Sequence, residues 1–276
     1  MIYADNAATT KMSPAAIREM LPYMDEIWGN PSSLYETGQR AASALRFARE
    51  RIAACIGAAP DEIYFTSGGS ESDNQAILSA AKWGERSGKK HIISSAFEHH
   101  AVLHMLEKLE REGFEIDLLP VHENGMVYPK QVADAIREET CLVSIMYANN
   151  EIGSILPVAE IGAVCHEHRI PFHTDAVQAA GHMPIHVRTQ NIDLLSLSAH
   201  KFHGPKGVGV LYARRGIPLT NLIEGGAQER GKRAGTENLG GIASMAAALE
   251  YAVEHMKENS TKIQSLRDKL IDGLLK

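Results

Sequence analysis

An α/β chain, with a mostly parallel sheet sandwiched by helices, follows from two observations. Short apolar runs rich in Ile, Leu and Val alternate with longer helical stretches along the whole sequence. Polar residues suited to chemistry fall just after several of those runs, where a parallel sheet opens its ligand-binding edge. Runs apolar on every residue belong to strands buried on both faces, which requires helices above and below.

Ser13-Pro14 opens the first helix, with Ser as cap and Pro at the first helical position. An Ala-rich helix runs from about Glu36 to Ile56 and stops at Gly57. Glu62-Ile-Tyr-Phe-Thr66 is a strand, and a helix follows from Ser70 to about Trp83. His91-Ile-Ile-Ser94 is a strand, then a helix extends from about His99 to Arg111. Phe114 to Leu119 is a strand, with a turn at Glu123-Asn-Gly125 and a helix from Pro129 to Arg137. Cys141 to Tyr147 is a strand, Pro157 to His168 a helix, and 171–174 and 192–198 are strands. Val208 to Tyr212 is a further strand, expected antiparallel because no helix separates it from its predecessor. The last residues, to Lys276, read as an amphipathic helix.

A chain of 276 residues can bury one large core, or one and a half. A net charge of -6 and a pI near 6.1 argue against a nucleic-acid surface. No segment approaches the ~18 apolar residues of a membrane span, and the start lacks the basic head and apolar run of a signal peptide. Three cysteines, Cys55, Cys141 and Cys165, are too few for a disulfide framework. Each sits in an apolar pattern, so buried thiols and a cytoplasmic location are expected. The pairs His166/His168 and His200/His203 lack the Glu or Cys partners of a zinc motif, so no metal is expected.

Lys201 and Asp175 carry the chemistry. The run Asp193 to Ser198 delivers a Ser-x-His-Lys cluster to a strand end, and the strand through His173 delivers Asp175 to a neighbouring one. A lysine amine forms a Schiff base with the aldehyde of pyridoxal 5'-phosphate (PLP), and a carboxylate keeps the pyridine nitrogen protonated. Taken singly, each has a plainer reading, as a solvated charge and a helix cap. Phe65-Thr-Ser-Gly-Gly-Ser-Glu-Ser72 joins a strand to a helix, where Gly69, Ser70 and the free N–H groups make an anion cup. A capped turn, with Ser70 as the cap, would look the same. His99 could stack on a flat ring and move protons, with His100 as its competitor. An amide side chain of the Asn149-Asn150 pair could donate to the ring oxygen, although that pair also suits a turn, and Gln178 lies three residues after Asp175, so both can project from one helical turn.

Seven segments together resemble one family. They are Asp5-Asn-Ala-Ala-Thr-Thr10, Gly29-Asn-Pro-Ser-Ser33, Phe65 to Ser72, Asn149-Asn-Glu-Ile-Gly153, His173-Thr-Asp-Ala-Val-Gln178, Ser198 to Lys206 and Gln228 to Thr236. The resemblance is to cysteine desulfurases of the NifS/IscS type, which are class V aminotransferase-like, fold-type I PLP enzymes. It implies that Lys201 binds the cofactor aldehyde, Asp175 the pyridinium, and that His99 stacks on the ring. Gln178 and Asn150 would bind the ring hydroxyl. Ser70, Ser198 and His200 would hold the phosphate, with Thr236 reaching the partner's phosphate across a homodimer. The implied substrate is L-cysteine, converted to L-alanine and a persulfide for an iron–sulfur scaffold or another sulfur-acceptor protein. Residues 15–256 would form the large PLP-binding domain, with 1–14 and 257–276 a remnant of a small one. The family's chains run on for roughly a further domain, which holds the nucleophilic cysteine loop and a carboxylate-binding arginine. This chain is therefore expected to be a fragment inactive in sulfur transfer, since Cys55, Cys141 and Cys165 do not match the loop cysteine. Tyr35 stands where the family usually has histidine. The competing readings are a selenocysteine lyase or related PLP β-eliminase, and a non-catalytic PLP-binding assembly partner.

Overall fold

The computed structural model describes residues 2–276; Met1, at the head of the expected 1–14 remnant, lies outside them. Helices α1 (Pro14–Met20), α2 (Pro22–Asp25) and α3 (Glu36–Ile56) come first. Then follow β1 (Ile63–Thr66), α4 (Gly69–Glu85), β2 (His91–Ser95), α5 (His100–Arg111), β3 (Glu115–Leu119), α6 (Pro129–Ala135), β4 (Thr140–Ser144), α7 (Val158–Glu167), β5 (Phe172–Asp175), β6 (Leu194–Ser198) and β7 (Gly209–Ala213). A short turn α8 (Gln228–Gly231) leads into α9 (Leu239–Glu254) and α10 (Met256–Leu274).

Local chemistry sets the ends. The Ser13 hydroxyl accepts the Ala16 amide at 3.1 Å and Pro14 takes the first helical position of α1. Gly57, left-handed at φ +68, closes α3.

The sheet order is β1-β7-β6-β5-β4-β2-β3. Neighbours from β6 through β3 are parallel. Strand β7 runs antiparallel to both β6 and β1, as expected of a strand with no intervening helix. Strand β1 therefore points the same way as β6, so the carboxyl ends of β1, β2, β4, β5 and β6 open on one edge. One face of the sheet is covered by α4 and α5, through Ala76, Ile77, Val102 and Leu106. The other is covered by α3, α7 and α9, through Ile52, Ile161 and Met245. No helix is long and apolar enough to cross a membrane among the described residues.

Some boundaries differ from the sequence reading. Glu62 belongs to a 3-10 turn, not a strand, because its carboxylate accepts the Ala59 and Arg215 amides, each at 2.9 Å. Helix α6 ends at Ala135, where Ile136 turns extended. Regular strand ends at Ser144, although the amides of Ile145 and Tyr147 still donate to His173 and Asp175 carbonyls. Helix α9 has no counterpart in the sequence reading. Its residues Leu239 to Leu249 are all buried, so it shows no polar stripe to give the 3.6-residue period away. Helix α10 buries no side chain.

Candidate active site

The strand ends converge on a cavity of about 560 Å³. Helix α4 enters it with Gly68 in the cap position at φ +155, ψ -178, a conformation open to glycine. The helix thus starts one residue before Ser70, and Ser70 lies inside the first turn instead of capping it. A Cβ on Gly69 would lie 2.7 Å from the Val177 methyl and one on Gly209 2.6 Å from the Gly68 backbone. The cup is therefore pressed between β7 and the segment after β5. Its free amides and helix dipole point into the cavity, as anion binding requires.

Asp175 ends β5 and is 6% exposed. The Val177 amide donates to its Oδ1 at 2.9 Å. Burial pushes its pKa up, against the pull of that amide, His99 and Lys201. Lys201 closes the 3-10 turn after β6. Its Nζ donates to the carbonyls of Ala7 at 2.5 Å and Ala8 at 3.0 Å. Burial lowers the Lys201 pKa, opposed by Asp175 and Asp5. His99 caps α5, its Nδ1 accepting the Ala101 amide at 3.1 Å. Its neutral form therefore carries the proton on Nε2.

Nine of the ten sequence-expected residues line this one cavity: Gly69, Ser70, His99, Asn150, Asp175, Gln178, Ser198, His200 and Lys201. The Gln178 amide donates to the Ala7 carbonyl at 3.1 Å, the Asn150 amide to Glu151 at 2.5 Å. The His200 ring lies 3.0 Å from the Thr9 hydroxyl, and burial lowers its pKa with help from Lys201 and Lys206. Thr236 is absent from the group. It is exposed and lines a separate cavity of about 220 Å³ with Ser67 and Arg233. An ion pair from Arg233 to Glu71 at 2.9 Å ties that loop to the first turn of α4.

Two further acids were missed in the sequence reading. Asp73 faces the cavity at 1% exposure, and its Oδ1 has no hydrogen-bond partner. Ligand atoms of Asp73, His99 and Asp175 all lie within 4.8 Å of one another. Glu98, 5% exposed, accepts the Ser95 hydroxyl at 2.5 Å and the Met146 amide at 2.9 Å, and its Oε2 is unpaired. Burial pushes its pKa up to about 8. His173 lies 3.6 Å from Asp73, yet this is no ion pair, because burial holds the His173 pKa at about 3. The one signal available was position: Asp73 lies one helical turn beyond the cup glycines, and Glu98 directly precedes His99.

The three thiols are elsewhere: Cys141 and Cys165 are buried, but Cys55, expected buried, is only half-buried against the core. Burial pushes Cys55 and Cys141 up to about 11 and Cys165 higher still.

The sequence profile described as Aminotransferase class-V matches residues 2–276. A curated relative from Methanosarcina thermophila, "Cysteine desulfurase IscS", is 54% identical over 100% of this chain and 68% of its own length. One of the same name from Clostridium botulinum (strain Hall) is 52% identical over 99% of this chain and 68% of its own. Among solved structures, a "NIFS-LIKE PROTEIN" superposes with a TM-score of 0.97 at 41% identity, covering 99% of this chain and 75% of that one. "SspA in complex with cysteine" superposes at 0.87 and 42% identity, covering 92% and 73%. Pyridoxal phosphate is the cofactor of such enzymes, and the residues fit it. The cavity offers an amine at Lys201, a buried carboxylate at Asp175 with Oδ2 free of protein partners, an anion cup, and an orphaned buried oxygen on Asp73. With a family profile spanning the described chain, and relatives alike in sequence and in fold, this chain belongs to the class-V aminotransferases and groups with their cysteine desulfurases.

Proposed function

We infer that the chain is the cofactor-binding body of a cysteine desulfurase, which takes sulfur from L-cysteine, leaving L-alanine and a persulfide. The carrying observation is the meeting of Lys201 and Asp175 in one cavity with the anion cup of α4. Relatives named for that activity, and a similar structure solved with cysteine, support it.

Bound there, pyridoxal phosphate supplies an electron sink for bonds around the substrate's α-carbon. The protein does the rest. The Gly69 amide and the Ser70 and Ser198 hydroxyls bind the phosphate, with His200 beside them. Asp175 holds the proton on the pyridine nitrogen through opposite charge. Asn150 and Gln178 would orient the ring through its hydroxyl, and His99 would stack on it. Lys201, its pKa lowered by burial, would hold the cofactor and would move protons at Nζ, with His99 Nε2 as the second proton carrier. The sulfur acceptor must be an accessible thiolate. Cys55, Cys141 and Cys165 do not qualify, because burial raises the pKa of each, Cys141 and Cys165 in the core and half-buried Cys55 against it.

The same reading makes the protein a cytoplasmic homodimer, with Thr236 completing the partner's phosphate site and a sulfur-acceptor protein as its client. It divides the chain at 15–256, the large domain. Residues 257–276 go with 1–14 to a smaller one, consistent with α10 burying no side chain.

Borohydride reduction of the PLP-loaded chain tests the assignment. The label should map by peptide mass to Lys201, and Lys201→Ala should abolish it while retaining noncovalent PLP binding. Labelling of another lysine, or none, would sink the reading.

A further inference from the structure

The floor of the cavity holds more acid than one ring nitrogen can pair. Asp175 from β5 and Asp73 from α4 both line it, and Glu98, from the β2–α5 connection, is buried within reach of the Asp73 charge. Asp73 is 1% exposed, and its Oδ1 bonds to nothing. The groups facing it are Asp175 and His173 from β5, Ser196 from β6, and Glu98 and His99 from the β2–α5 connection. None is a fixed cation. The nearby Lys201 spends its amine on the carbonyls of Ala7 and Ala8. An unpaired carboxylate in such a place would bear its full desolvation cost, and two carboxylates this close do not ionise together.

We propose that Asp73 is kept as a neutral carboxylic acid in the cavity wall, so that Asp175 is the one anion there and would pair alone with the pyridine nitrogen. Asp73 is thereby a positioning residue: it acts on the ring through Asp175. Burial, then the Asp175 charge, push its pKa well above the carboxylate range, against a contact from the Ser196 hydroxyl. The His173 imidazole, neutral and set 2.8 Å from the Ser144 hydroxyl and 3.1 Å from that of Ser196, adds no charge. The floor then carries a single negative charge, which the protonated ring cancels. The inference rests on the cofactor reading above for the identity of the ring, but not for the proton on Asp73.

Infrared spectroscopy of the cofactor-free chain near neutral pH tests the proton. Its spectrum should hold a protonated-carboxyl C=O band that 13C-aspartate labelling shifts and that Asp73→Asn removes. The labelled, unsubstituted chain keeps the test intact should the variant not fold. No aspartate acid band, or one that survives Asp73→Asn, would overturn the proposal. The positioning role is read from the loaded chain. Asp73→Asn, isosteric with the neutral acid, should bind PLP within about threefold of the unsubstituted chain. Asp73→Ala should move the pH midpoint of the bound cofactor's absorbance by about one unit, a change of roughly tenfold. A tenfold weaker PLP affinity in Asp73→Asn, or an Asp73→Ala midpoint that does not move, would overturn the role. A chain that keeps the acid band but binds no PLP would instead overturn the cofactor reading.

Discussion

Glu98 and His173 give the folded state opposite pH sensitivities, because burial favours the neutral form of each. For Glu98 the folded pKa, about 8, lies above the ordinary 4.5. Its contribution to stability is full below 4.5 and is lost as pH rises to about 8. For His173 the folded pKa, about 3, lies below the ordinary 6.5. Its contribution is full above 6.5 and is lost as pH falls towards 3. Glu98→Gln should therefore flatten the alkaline side of a denaturation-midpoint profile between pH 4.5 and 8, leaving the acid limb unchanged. Parallel profiles for the two proteins across that window would disprove the buried acid. The cysteines allow a second prediction. With all three pKa values raised by burial, alkylation by iodoacetamide at neutral pH should be at least tenfold slower than for a free thiol, since about one pKa unit is a tenfold loss of thiolate. A fast-reacting cysteine would be a persulfide candidate and would break the assignment of all three to the core.

Strand β7 matters to chemistry that none of its side chains touches. Gly209 pairs with Thr66, and a Cβ there would strike the Gly68 backbone and the Leu197 carbonyl, both at 2.6 Å. Gly209→Ala should push the cup out of place, costing about 1–3 kcal/mol of stability by overpacking and weakening PLP binding about tenfold or more, while secondary structure stays intact by circular dichroism. Unchanged PLP affinity would show that the cup tolerates the shift. On the opposite side of β1, the Arg49 guanidinium of α3 makes a two-point pair with Glu229 of α8 at 2.6 and 2.8 Å. Glu229 also accepts the Phe65 amide at 2.9 Å, and both Glu229 and Arg230 are held at positive φ. Arg49→Ala would strand the Glu229 charge in the interior at a cost of about 3–5 kcal/mol. It should loosen the loop to Thr236, which limited proteolysis would detect as new cleavage between 225 and 238.

At the scale of the molecule, the exposed apolar side chains of Trp28 (71%), Leu34 (90%) and Phe47 (57%) lie on the segments around α2 and α3. A two-fold dimer with shared sites is the proposed assembly. Mixing Lys201→Ala with Thr236→Ala chains tests the sharing, because a mixed dimer has one site carrying both defects and one carrying neither. Half of the mixed dimers' sites should then bind and trap PLP normally; a strictly monomeric chain that binds PLP tightly would refute Thr236's role. Turnover is the last measure. With every thiol pKa raised by burial, the 276-residue chain should bind PLP yet release alanine from cysteine far below an enzymatic rate, with no persulfide on its own thiols. Rapid alanine release would assign the chemistry to one of its cysteines or to none.

The alternation of apolar runs and helices determined the α/β class, the antiparallel β7 and the bounds of α3, because strand burial and capping are written locally. The site was nearly as legible, since polar residues after buried strands meet at one edge of a parallel sheet whatever the loops do. Burial on all sides from Leu239 to Leu249 hid α9, whose periodicity vanishes where no face meets water. Only the tertiary structure decided which acids share the floor. Asp73 sits on a helix, and that position does not say that it lines one cavity with Asp175. It also decided that the Ala7 and Ala8 carbonyls hold the Lys201 amine, a contact made across more than 190 positions of sequence. Charge state in a cavity depends on what is excluded from it, and exclusion is a property of the packed chain, not of any segment.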